Sequence, residues 1–177
     1  MKIGIYGGSF NPIHFGHTGL ANWIINNTDI DEVWLMVSPH NPLKSSSTLE
    51  DEHKRLNSAK LAVKDMKNII VSDFEFTLPR PNYTANTLRK LAEQFPQHEF
   101  TLIIGEDNLG IFDQWREYIY ILRCYRIFVY PRRGADTAAE EIIKKLKKEG
   151  IKDLRYLQDA PYYDISSSEI RTNKKIN

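Results

Sequence analysis

The chain has 177 residues, 41% of them hydrophobic and 27% charged, with a net charge of +1. That length suits one domain with a buried core, and the near-neutral balance excludes a strong general attraction to nucleic acid or to a membrane surface. A single cysteine, Cys124, excludes an internal disulfide framework and fits a reducing, cytoplasmic setting. The opening "MKIGIYGGSF" lacks the long apolar stretch of a secretory signal, and no window nears the ~20 apolar residues of a membrane span.

Strand and helix patterns alternate along the chain. "KIGIYG" (2–7) is an apolar run ending on glycine, which predicts a buried strand. A helix is predicted over 16–27, with Leu20, Ala21, Ile24 and Ile25 on one face. "EVWLMVS" (32–38) predicts the second strand. A helix over 50–66 follows, with Leu56, Ala59, Val63 and Met66 inward. "NIIVSDF" (68–74) is the third strand, and 84–95 a helix presenting Leu88, Leu91, Ala92 and Phe95. "EFTLIIG" (99–105) is apolar throughout and predicts a central strand covered on both faces. A helical region (109–122), a strand stopped by Pro131 (125–131), an amphipathic helix ended by Gly150 (138–149) and a last short strand (154–157) come next. "DISSSEIRTN" (164–173) predicts a final helix capped by serine. Cys124 is expected in the core, and His53, His98, Arg132 and Arg133 at the solvated surface.

Alternation of this kind predicts an α/β fold: a Rossmann-like, doubly wound parallel sheet with helices on both faces, formed by 1–177 as one domain. Ligands bind such sheets beyond the carboxyl ends of the strands, where strand order reverses. Two strands end there in polar, glycine-marked segments, "YGGSFNPIH" and "IIGEDN", so the site is expected between them. Gly7 and Gly8 permit close approach to the backbone. The amides of Gly8, Ser9 and Phe10, at a helix entrance, are suited to an anion. An ordinary strand–helix turn is the competing reading at even weight, since neither the dinucleotide fingerprint nor a P-loop is present. His14 and His17 share one face of the helix start. As a zinc pair they would need further ligands that the sequence does not supply, so donors to phosphate oxygens are the preferred reading.

"GSFNPIHFGH" resembles the H-x-G-H signature of the nucleotidylyltransferase superfamily, and "ISSSEIR" (165–171) its second signature, I-S-S-T-x-I-R. "SPHNPLK", "LPRPNYTANTLRKL" and "IIGEDNLGIFDQW", in that order between them, resemble segments of the bacterial nicotinate-nucleotide adenylyltransferases. The chain departs from the pattern at Asn11 and Asn86, where aspartate is usual, and at Ser168, where threonine is usual. Members also usually continue through a further helical segment after the second signature.

The resemblance implies transfer of AMP from ATP to nicotinate mononucleotide, giving nicotinate adenine dinucleotide and pyrophosphate. It implies His14, His17, Lys44 and Arg171 as the residues acting on the phosphates. Gly7, Gly8, Ser9, Phe10, Gly105, Asp107, Ser166 and Ser168 would bind the nucleotide. Magnesium (Mg2+) is implied as a bridge between ATP oxygens, with no protein ligand named. Tyr83 and Thr84, whose amides open a helix, would meet the nicotinate carboxylate, and Trp115 would stack on the pyridine ring. No basic residue lies between 82 and 88, so amides alone are expected to hold that carboxylate. Without the resemblance, Lys44 reads as a solvated lysine, Ser166 as a helix cap and Trp115 as core. The alternatives are an enzyme for nicotinamide mononucleotide or for both acceptors, a phosphopantetheine adenylyltransferase, and a silent nucleotide-binding module. His14 and Arg171 argue against the phosphopantetheine enzyme, which usually has threonine in place of the first histidine and ends V-K-E. Neither nucleic acid nor membrane is an expected partner, and a homo-oligomer is neither required nor excluded.

Overall fold

The computed structural model describes residues 1–39, 50–132 and 139–174. Six strands, β1 (Lys2–Gly8), β2 (Glu32–Val37), β3 (Ile69–Ser72), β4 (Glu99–Gly105), β5 (Arg126–Tyr130) and β6 (Asp153–Tyr156), form one sheet in the order β3-β2-β1-β4-β5-β6. Every pairing is parallel. The helices are α1 (Phe15–Asn27), α2 (Glu52–Ala62), α3 (Thr84–Gln94), α4 (Glu106–Leu109), α5 (Tyr118–Cys124), α6 (Ala139–Lys147) and α7 (Ser167–Lys174). This is the expected Rossmann-like α/β arrangement. No helix among the described residues is long and apolar enough to cross a membrane.

Successive strand residues point to opposite faces, so the central strands feed two cores. Ile3, Ile5, Leu102 and Ile104 pack with Leu88 and Leu91 of α3 and Leu122 of α5. Tyr6, Leu35, Val37 and Ile103 pack with Leu20 and Ile24 of α1 and Leu56 and Ala59 of α2. Strand order reverses between β1 and β4, so the carboxyl ends of those two strands, at Gly8 and Gly105, form the mouth where such sheets bind ligands.

Several elements differ from expectation. The helix predicted over 50–66 is α2, shorter at both ends. The Asp51 carboxylate accepts from the amides of His53 and Lys54 and sets its start. Val63 caps it and Asn68 takes a positive φ of 65°, so Met66 is 41% exposed rather than inward. The third strand ends at Ser72, and Phe74–Thr77 forms a 3-10 turn. The helical region over 109–122 is broken into α4, a 3-10 turn at Phe112–Gln114, and α5, with Glu117 left-handed at φ 57°. Cys124 is exposed, because only Ile121 and Leu122 of α5 are buried. His98 is half-buried, its ring packed against Trp34, Phe95 and Phe100.

Candidate active site at the carboxyl edge of the sheet

α1 opens on the histidine pair. His14 is the N-cap residue, and its backbone N–H donates to His17 Nδ1 at 3.2 Å. A ring that accepts at Nδ1 carries its proton on Nε2 when neutral, so His17 presents Nε2 as a donor. The two imidazoles stack with centroids 3.7 Å apart, and Phe10 packs edge-on against His17 at 5.0 Å. Burial pushes the His14 imidazolium pKa down, Arg132 adds to the effect, and Glu169 opposes it. His14 is therefore biased toward the neutral form, which relieves repulsion within the stacked pair.

The motif glycine has a steric purpose that the sequence reading missed. A Cβ on Gly16 would sit 3.0 Å from His14 Nδ1 and 3.1 Å from Ile165. Gly16 thus lets the segment before α7 close over the first histidine. α7 is capped as expected: Ser166 Oγ accepts from the Glu169 amide at 3.2 Å. Ser167 Oγ donates to the Pro12 carbonyl at 2.8 Å, and Arg171 donates to the Asn11 carbonyl and to Ser168 Oγ. The two signature segments, at opposite ends of the sequence, are therefore bonded to each other.

The glycine loop is held from below by a residue the sequence reading passed over. Arg55 of α2 is fully buried and donates to the carbonyls of Ser9, Ser38, Pro39 and Glu50. Four carbonyls around one guanidinium satisfy a charge that would otherwise be costly to bury. Phe10 is 2% exposed at φ 44°, so its side chain is core and underlies Gly8 and His17.

Two cavities meet at this edge. The smaller, about 220 Å³, is lined by His14, Gly16, Arg132 and Ser166. The larger, about 490 Å³, is lined by Gly7, Gly8, Tyr83, Thr84, Gly105 and Trp115. Tyr6 lines the larger and Tyr130 the smaller, and their hydroxyls lie 3.2 Å apart between the two. Burial pushes both phenols up, so they stay protonated near neutrality. A Cβ on Gly7 would meet nothing within 4 Å, so glycine there leaves room for something other than protein. At Gly105 a Cβ would fall 2.4 Å from Asp107 Oδ1, so glycine lets that carboxylate fold back over the strand end.

Arg132 is exposed, as expected, and in addition it donates to Asp107 Oδ2 at 3.2 Å and lines the smaller cavity. The available signal was its place just past β5, on the ligand edge of a parallel sheet. At α3, Tyr83 is the N-cap and no side-chain hydrogen bond caps the helix. Trp115 packs on Phe112 at 5.2 Å and also lines the larger cavity. A base is present there after all, because Arg116 lines the same wall. Ser9, His17, Asp107, Ser168 and Arg171 border this region through the contacts given above rather than lining either cavity. Lys44 lies outside the described residues. No trio of His, Cys, Asp or Glu among the described residues is placed to hold a metal ion.

The cytidylyltransferase-like family model matches residues 5–173. The chain belongs to this family. Within it, the chain is 48% identical over 175 residues to a probable nicotinate-nucleotide adenylyltransferase of Flavobacterium psychrophilum, spanning 99% of this chain and 87% of that one. It is 43% identical over 170 residues to the protein of the same description from Bacteroides fragilis, spanning 96% and 80%. Among solved structures, the Plasmodium falciparum nicotinic acid mononucleotide adenylyltransferase complexed with NaAD superposes with a TM-score of 0.77 at 23% identity, over 97% of this chain and 82% of that one. At that identity the superposition speaks for the family fold. The relatives place the chain with the nicotinate-nucleotide adenylyltransferases of the family.

Proposed function

We infer that the chain is a nicotinate-nucleotide adenylyltransferase that joins nicotinate mononucleotide to the AMP moiety of ATP and releases pyrophosphate, in the cytoplasm. The observation that carries this reading is the near-full-length identity to enzymes of that description. The paired cavities at the β1–β4 mouth give the two substrates room to meet.

In the reaction, an oxygen of the acceptor phosphate attacks the α-phosphorus of ATP in line. The new P–O bond forms as the α–β bridging bond breaks, and its electron pair leaves with pyrophosphate. The nucleophile is already an anion near neutral pH, so the chain has to position and to stabilise charge rather than abstract a proton. In this reading His17 donates from Nε2 to an α-phosphate oxygen, and neutral His14 stands beside it. Gly7 and Gly8 admit the phosphates to the strand end. Ser166, Ser168 and Arg171 face the β- and γ-phosphates from α7, and Asp107 reaches ribose hydroxyls next to Gly105. The nicotinate carboxylate meets the Tyr83 and Thr84 amides while its ring lies on Trp115. Magnesium would enter on ATP, held by triphosphate oxygens and water.

Arg171→Ala is expected to raise KM for ATP and to lower kcat, because the leaving group loses a charged, forked donor. Steady-state kinetics with ATP varied check this, and unchanged constants would remove Arg171 from the phosphate site.

The test of the function is pyrophosphate release measured side by side with nicotinate mononucleotide, nicotinamide mononucleotide and phosphopantetheine. kcat/KM is expected to favour the nicotinate acceptor over its amide by at least about a hundredfold, or ~2.7 kcal/mol. Amides at a helix start satisfy a carboxylate with donors and a favourable dipole. A carboxamide sets its own NH2 against those donors and leaves groups unpaired. A ratio near one would give a dual-specificity enzyme and remove the carboxylate from Tyr83 and Thr84.

A further inference from the structure

We propose that Arg116 is a specificity-determining residue of the larger cavity, its guanidinium supplying positive charge that favours an acceptor carboxylate over the matching carboxamide. The proposal rests on the functional reading above and adds a residue to it.

The Arg116 guanidinium carbon lies 4.8 Å from the centroid of the Tyr83 ring. Tyr83 is the N-cap of α3, so the cation is held against the residue that opens the uncapped helix. Stacking on an aromatic face orients the planar guanidinium and leaves its edge N–H groups to donate outward. Arg116 and Tyr83 line the cavity together with Thr84 and Trp115, so the charge sits on the wall where the α3 amides emerge.

The adjacent acid, Glu117, is paired with Arg89 at 2.8 Å. No ion pair engages Arg116 among the described residues. Among the described lining residues Arg116 is the one base and Glu75 the one acid. The Glu75 carboxyl is buried and accepts the Thr87 hydroxyl at 2.8 Å, and burial pushes its pKa up. The cavity is therefore biased toward an anionic ligand at the α3 end. A neutral carboxamide gains nothing from that charge, so the effect is one of discrimination as well as affinity. Arg116 is exposed, so solvent screens it and the effect is moderate.

Arg116→Gln and Arg116→Lys test this, with nicotinate and nicotinamide mononucleotide each varied at saturating ATP. Arg116→Gln is expected to raise KM for the nicotinate acceptor roughly fivefold to tenfold. kcat, KM for ATP and KM for the amide should stay put, so discrimination falls by the same factor. Arg116→Lys should recover part of the loss. Raising salt from about 50 to about 500 mM should weaken nicotinate binding in the wild type more than in Arg116→Gln. An equal rise in KM for both acceptors, or no rise for either, overturns the proposal and leaves the functional reading intact. A wild-type chain that turns over neither pyridine nucleotide overturns both.

Discussion

His17→Ala is expected to lower kcat by several hundredfold while the protein stays folded. On the proposed reading the imidazole donates to an oxygen that gains charge as the α-phosphorus is attacked. Removing one such preorganised donor typically costs roughly 3–4 kcal/mol in the transition state. The same side chain has a second task, because His17 Nδ1 accepts the His14 backbone N–H at the start of α1. Losing that cap costs on the order of 1 kcal/mol of stability, well short of unfolding the chain. His17→Gln separates the two tasks. Its amide oxygen can restore the cap, so thermal stability should recover while turnover does not. Single-turnover rates and thermal melts on both variants give the answer, and near wild-type kcat in His17→Ala would remove His17 from the chemistry.

Arg55→Met should produce the largest loss of stability. The guanidinium is the shared partner of four carbonyls, from Ser9, Ser38, Pro39 and Glu50. Methionine fills similar volume but donates nothing, leaving buried acceptors without that partner. The expected cost is about 3–5 kcal/mol, or a fall in Tm of roughly 10 °C or more for a chain of this size. Arg55→Lys should fall between, since one ammonium cannot reach four carbonyls in the guanidinium's plane. Denaturant or thermal unfolding measures the difference. An Arg55→Met protein within about 1 kcal/mol of wild type would mean that water replaces the guanidinium at those carbonyls.

What the sequence revealed and what it hid divide along sequence separation. The strands were legible because a parallel sheet covered on both faces demands unbroken apolar runs such as "EFTLIIG". Where one local rule decided an outcome, reading it sufficed: Ser166 caps α7 and Tyr83 opens α3. α2 was read too long because apolar spacing alone carried Met66 inward, whereas the Asp51 cap and the left-handed Asn68 settle where the chain turns. Arg55, Arg116 and Arg132 were hidden because each acts on groups distant in sequence. In the linear string they resemble the arginines of any solvated helix or loop. Arg171 was singled out only through its signature, whereas His14 and His17 also stood out by their spacing at a helix entrance; the contacts that bring the two segments together run through Gly16 and the Asn11 and Pro12 carbonyls.

The bonds between α7 and the first turn also order events in time. Arg171 reaches Asn11 across 160 positions and Ser167 reaches Pro12 across 155. On a ribosome the amino-terminal half emerges first, and β1 gains its β2 neighbour long before α7 has been made. β1 must then wait for β4 to arrive on its other side, and contacts of such high sequence separation close slowly. The contacts between α7 and the first turn therefore close late, when that helix docks on a turn synthesised at the outset. A partly made chain can hold much of its sheet and still lack the α7 wall of the pocket. On the proposed reading, nucleotide binding would thus report the docking of α7, a more stringent signal than the appearance of secondary structure.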